Sequence, residues 1–114
     1  MRAIIINAQD RTITETEIDG SLKSLQQIVA GMIEPVSQGL DGKHHCYVNE
    51  EGLLNQPRHF FMFCDGHQPL AGNGVILALA DDGNEAPCTL ALDWVKERVT
   101  FMDFTAVRQW CQLH

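Results

Sequence analysis

The acidic pair Glu50-Glu51 stands between Asn49 and Gly52 in the stretch CYVNEEGLLNQP, where a strand-like run enters a turn. Two carboxylates serve acid–base chemistry only when they converge on one reacting centre. Neighbours in a strand point to opposite faces, so this pair does not converge unless the turn bends between them. The pair reads as a solvated hairpin tip in which Asn49 and Gly52 make the turn, and no catalytic residue is assigned. The alternative is recognition. Glu34, expected on the neighbouring strand, can meet Asn49 or Glu50 across the hairpin and hold a basic side chain. Tyr47 and Trp94 are candidate aromatic anchors for the same partner, because buried aromatics supply much of the affinity of small interfaces. Trp94 and Trp110 also suit core positions of short helices.

Metal-ligand residue types occur at His44, Cys46, Cys64 and His67. Cys64-x-x-His67 is one loose pair, and residues 44 and 46 share a strand face. A structural zinc site shows two such pairs with tighter spacing, so loop polarity and core thiols are the competing reading. Cys64 with His59 or His67 has the residue types of a nucleophilic couple, yet it follows Phe60-Phe61-Met62-Phe63 and is expected to be buried and inert. A small-ligand site is a further alternative. The amides of Gly72 and Gly74 would meet an anion, with Arg58 or His67 as the cation, although GNG is ordinarily a tight turn.

These residues sit in a chain of 114, a length that fits one domain over residues 1–114. With 45% hydrophobic and 20% charged residues, the composition is that of a globular protein and not of a disordered one. The longest apolar runs, AIII and VILALA, are far below the ~20 residues of a membrane span. No export signal is visible, which leads to the expectation of a cytoplasmic protein with reduced cysteines. Eight Lys/Arg against fifteen Asp/Glu give a net charge of −7. The basic residues are scattered, so direct nucleic-acid binding is disfavoured. An acidic protein of this kind fits a basic protein surface, or is merely kept soluble by its charge.

The elements that must position these residues follow from periodicity. RAIIINA and TITETEI read as a β-hairpin. Ser21 caps an amphipathic helix whose buried stripe is Leu22, Leu25, Ile28 and Val29. Gly31 is expected as the left-handed C-cap, and Pro35 confirms the stop. Residues 32–37 then read as a short edge strand, and residues 45–49 as its hairpin partner. RHFFMFC is either a strand or a short buried helix. VILALA is the central strand, followed by a turn at Asp81-Asp82-Gly83-Asn84. A short helix capped near Asp93 and a last strand at residues 99–102 precede a closing helix. Asp103 caps that helix, which is expected to bury Phe104, Val107 and Cys111. The sum is α+β: a mainly antiparallel sheet with one principal amphipathic helix and short C-terminal helices.

Taken in order, LKSLQQIVAGMIEPV, CYVNEEGLLNQP and AGNGVILAL resemble a small uncharacterised family carried by phages, plasmids and other mobile elements. The features that carry the resemblance fall on Gly31, Ile33-Glu34, Val48-Asn49-Glu50-Glu51-Gly52 and the strand from Gly72 to Leu79, within residues 1–80. The tail from Cys88 and the aromatic 59–64 segment depart from it. The resemblance implies a gene of a mobile element, a setting in which small acidic proteins interfere with host defence or modulate host machinery. The leading expectation is therefore a non-enzymatic interaction protein without a cofactor, acting on a host protein with a basic surface, as monomer or homodimer. A nucleotide-like ligand-binding module is the alternative, and a metal- or cysteine-dependent enzyme stands third.

Overall fold

The β-branched run Arg2–Asn7 forms β1, and the chain returns antiparallel as β2 (Thr12–Glu17). The turn is held by Asn7 Oδ1, which accepts the Asp10 amide at 3.0 Å. Helix α1 (Leu22–Val29) follows, then β3 (Ile33–Val36) and β4 (His44–Asn49) as the second hairpin. A 3-10 turn at Gly52–Leu54 leads to β5 (His59–Phe63), β6 (Leu70–Ala71), the long β7 (Asn73–Leu79) and the short β8 (Glu85–Ala86). Helix α2 (Leu92–Arg98), β9 (Val99–Asp103) and helix α3 (Phe104–Leu113) close the chain. The computed structural model describes residues 1–37, 40–54, 57–64 and 68–113.

The strands form two antiparallel sheets, so the fold is α+β. The larger runs β2-β1-β7-β4-β3, with β8 joined to the end of β7, and the smaller runs β6-β5-β9. VILALA thus occupies the centre of the larger sheet, and the ambiguous RHFFMFC resolves as a strand. Alternation of side chains divides the core in two. On one face Ala3, Tyr47, Val75 and Leu77 pack against Leu25 and Val29 of α1. On the other, Ile4, Ile6, Cys46, Val48 and Ile76 meet Phe61, Phe63 and Leu70 of the smaller sheet and Val95 of α2. The layers are therefore helix, sheet, sheet. Each fully buried large side chain in the second core contributes ~1.5–3 kcal/mol relative to exposure.

Pro35 lies where its missing N–H does least harm. The Glu50 amide donates to Met32 O at 2.8 Å, which makes residues 32 and 50 a hydrogen-bonded pair. In antiparallel pairing the character alternates, so Pro35, opposite Tyr47, turns its ring nitrogen to the free edge.

Four expectations need correction. The left-handed C-cap of α1 is Ala30, with φ 63°, not Gly31. Leu22, in the first turn of the helix, is exposed, while Leu25 and Val29 are buried and Ile28 packs half-buried against the same core. Helix α2 begins two residues earlier, with Ala91 at the cap position and Asp93 already inside its first turn. Helix α3 is capped as expected, since Ala106 N donates to Asp103 Oδ1 at 2.8 Å. It nevertheless buries none of its residues: Phe104 and Cys111 are exposed, and Val107 is half-buried. The reason is position. The helix follows the last strand of the smaller sheet and has no layer on its outer side. Among the described residues, no helix is long and apolar enough to cross a membrane.

Candidate functional site

Asn49 ends β4 and is committed to local structure. Its Nδ2 donates to Val29 O at 3.3 Å and Ala30 O at 3.2 Å, and its Oδ1 accepts the Glu51 amide at 2.8 Å. Asn73 adds a third bond, from Nδ2 to Ile28 O at 3.2 Å. Two asparagines from adjacent strands thus satisfy carbonyls that the end of α1 leaves without helical partners. Gly31 explains itself here: a Cβ at that position would stand 2.5 Å from Asn49 Nδ2. The turn that Asn49 begins releases the chain into Gly52–Leu54, where a Cβ on Gly52 would press on Ala71 at 3.3 Å.

Two of the concavities beside that turn are lined by Leu53. A narrow crevice of about 90 Å³ is lined by Glu34, Asn49 and Glu50, with Val36, Val48, Leu53, Leu54 and Leu70 as apolar walls. Glu34, opposite Val48, shares a face with Glu50 and both line the crevice, whereas the Asn49 amide is turned to the α1 side. Glu51, pointing elsewhere, does not line the crevice. Leu53 also lines the second concavity, a groove of about 790 Å³ between the turn and α3. Its walls are Leu53, Pro57, Arg58, Phe60, Asp103, Phe104, Thr105 and Val107. Leu53, Leu54 and Phe104 are 58%, 80% and 54% exposed, so apolar surface runs from the acidic crevice across to the helix. Such contiguous apolar surface with a charged rim marks interaction sites.

The two histidines of β4 face opposite cores, and each anchors a polar cluster. On the α1 side, His45 Nε2 lies 3.1 Å from Glu85 Oε2, and the Tyr47 hydroxyl donates to Glu85 Oε1. The two rings meet edge to face at 4.6 Å. Burial pushes the Tyr47 phenol well above its usual range, and the neighbouring carboxylate adds to the shift. On the other side, His44 Nδ1 contacts both Asp41 oxygens, at 2.9 and 3.1 Å. Its Nε2 accepts the Thr89 amide at 3.1 Å and lies 3.2 Å from Thr89 Oγ1. Carboxylate, imidazole and hydroxyl stand in the order that acyl-transfer triads use. Here, however, the Nε2 lone pair already serves a backbone N–H, and the imidazole is buried. The cluster works as a clasp. Together with the Arg2 guanidinium, which donates to Cys88 O and Leu90 O at 2.9 and 2.7 Å, it fastens residues 88–90 to the larger sheet.

The remaining candidates are dispersed. The Trp94 ring is half-buried against the second core, and the Arg98 guanidinium lies 4.0 Å above it. Tyr47 is buried as well, so neither aromatic projects as an anchor. Cys46 is buried between the sheets, and desolvation pushes its thiol up to about 12. Cys64, expected to be buried, is exposed, because β5 ends at Phe63. His59 starts that strand and Cys64 follows its end, ~16 Å away at strand rise, so they form no nucleophilic couple. His67 lies outside the described residues. Among the described residues, no three His, Cys, Asp or Glu side chains are placed to hold a metal ion. For the anion alternative, the Gly72 amide already donates to His59 O at 3.0 Å. Gly74 is wedged in the core: a Cβ there would stand 2.7 Å from Cys46 Sγ and 2.8 Å from Phe61 Cζ. Arg58 lines the apolar groove, away from Gly74.

Sequence reasoning missed Leu53, Leu54 and Phe104 as surface residues. The signal for the two leucines was their position directly after the Asn49–Gly52 turn, outside any strand or helix period. Phe104 falls on the apolar stripe of an amphipathic helix, and nothing in the stripe says that its partner layer is absent.

Comparison with known proteins adds one assignment. No curated protein and no solved structure matches the chain. A family described as a domain of unknown function, DUF3846, matches residues 1–100, a span that takes in both sheets as far as the start of β9, the asparagine-capped helix and the Gly52 turn. Helix α3 lies beyond the matched span. The chain therefore belongs to the DUF3846 family.

Proposed function

We propose that this protein is a non-enzymatic interaction module that docks a basic partner protein on the face formed by the 3-10 turn and α3. The observation that carries the reading is Leu53, which belongs at once to the Glu34–Glu50 crevice and to the apolar groove under Phe104. A partner's apolar side chain fills the groove, and a Lys or Arg side chain enters the crevice, its stem on Val36, Val48 and Leu70 and its head between the carboxylates. The net charge of −7 speeds and selects encounter with a basic surface. The resemblance to mobile-element proteins supports a host protein as the partner and interference with host defence or machinery as the outcome. Because α3 lies outside the span matched by the family, the groove wall it supplies sets this chain's own partner choice.

The test is capture from a bacterial lysate at low and at moderate salt, followed by native mass spectrometry of the bound species. A stoichiometric protein partner that salt releases supports the proposal. Free protein at both salts, or protein carrying only a small added mass, contradicts it.

A further inference from the structure

The floor of the apolar groove is Phe60, and its backbone is already spoken for. β5 is the middle strand of the smaller sheet, with Phe60 opposite Ala71 of β6 and Met102 of β9. Its neighbours Phe61 and Phe63 turn into the core between the sheets, so alternation aims Phe60 at the outer face. Leu53 and Pro57 line the groove above it from the turn, and Phe104 and Val107 from α3. The polar residues of the lining, Arg58, Asp103 and Thr105, are exposed at the rim, and Asp103 Oδ1 is occupied by the Ala106 amide. A groove of this make offers a visiting peptide no row of backbone donors and acceptors. An extended segment crossing it would leave its own N–H and C=O groups without partners, which is costly. A helix satisfies those groups internally and presents side chains alone.

Continuity with the acidic crevice sets the charge of such a helix. Leu53 lines both concavities, and the exposed carboxylates of Glu34 and Glu50 line the crevice on its far side. A single leucine thus separates apolar from acidic surface, a step that one helical turn covers. We infer that the element seated in the groove is a basic amphipathic helix of the partner, laid beside α3. Its apolar side chains at i and i+4 cover Phe60, and a Lys or Arg at i+7 or i+8, one turn further on the same face, enters the crevice. The inference rests on the docking face proposed above and adds to it the form of the partner.

The experiment is a titration of the full chain, labelled with 15N, with three synthetic peptides of about 18 residues, long enough to be helical. The first, built of Ala, Gln, Leu and Lys, places Leu at i and i+4 and Lys at i+7 and i+8. The second has the same composition, but its Leu and Lys fall on every second residue and share a face only in a strand. The third is the first with a central proline. The first is expected to bind saturably, to shift the amide signals of Leu53, Phe104, Glu34 and Glu50, and to gain helical circular dichroism. The other two bind about tenfold more weakly or less, and Leu53→Asp/Phe104→Asp and Glu34→Lys/Glu50→Lys each lose the first. Equal binding of the first and second peptides, no binding of the first, or indifference of both variants overturns the inference. So does a peptide-free dimer that Leu53→Asp/Phe104→Asp dissociates, since a second copy then fills the groove. If lysate still yields a salt-released partner that both variants lose while the first peptide fails to bind, the docking face stands and its helical occupant falls. If that capture fails as well, both fall.

Discussion

The Asn49 amide occupies the space that a side chain on Gly31 would need, 2.5 Å from where a Cβ would stand. One contact thereby ties the end of α1 to the end of β4. Asn49→Ala removes the donor to Val29 O and Ala30 O and the acceptor for Glu51 N, which costs about 1–3 kcal/mol. Gly31→Ala displaces the same amide. The two substitutions share one interaction, so chemical denaturation of the single and double variants is expected to show strong non-additivity. Additive losses would mean that Gly31 and Asn49 act separately.

Thiol reactivity sorts the cysteines by burial. Cys46 and Cys88 are buried, Cys64 and Cys111 exposed. Desolvation holds the Cys46 thiol at about 12, so almost no nucleophilic thiolate forms at neutral pH. Alkylation followed by peptide mass mapping is expected to modify Cys64 and Cys111 in the folded protein, and Cys46 and Cys88 only after denaturation. Early labelling of Cys46 would contradict the two-sheet core.

The Asp41 carboxylate has a depressed proton affinity. Burial works against its charge, but the hydrogen bonds from His44 and from the Lys43 and His44 amides outweigh it. A carboxylate whose folded pKa is lowered stabilises the fold above its unfolded value and loses that effect as pH falls through the folded value. Thermal melts of wild type and Asp41→Asn should therefore differ most above the ordinary carboxylate value of about 4 and converge only as pH falls below it through the lowered folded value. A gap that is constant, or that widens toward acid, would remove the clasp from the account.

Much of the architecture was legible in the sequence because it rests on local patterns. The β1–β2 hairpin, the Ser21 cap, the central strand at residues 75–80 and the proline-marked edge each depend on a few neighbouring residues. The misplaced features depend on contacts between distant segments. Gly31 looked like a left-handed cap, since glycine usually fills that role, but its reason is a side chain arriving from β4. His44 looked like a loop residue until residues 88–90 came to meet it. Glu34 and Glu50 line one crevice because one hairpin joins them. The groove was not legible, since its walls come from the 3-10 turn, β5 and α3, and no sequence period relates those elements.

The central claim is that one face, acidic at the crevice and apolar at the groove, takes the partner. Its most direct test is capture from lysate at low salt with four chains side by side. They are wild type, Leu53→Asp/Phe104→Asp, Glu34→Lys/Glu50→Lys, and a remote charge control, Asp81→Asn/Asp82→Asn, in the turn before β8. All the altered side chains are exposed, so each variant is expected to fold, which circular dichroism checks. The account predicts that wild type and the remote control retain the same stoichiometric partner, while the groove and crevice variants each lose it. Equal retention by all four, or loss in the remote control as well, would contradict it.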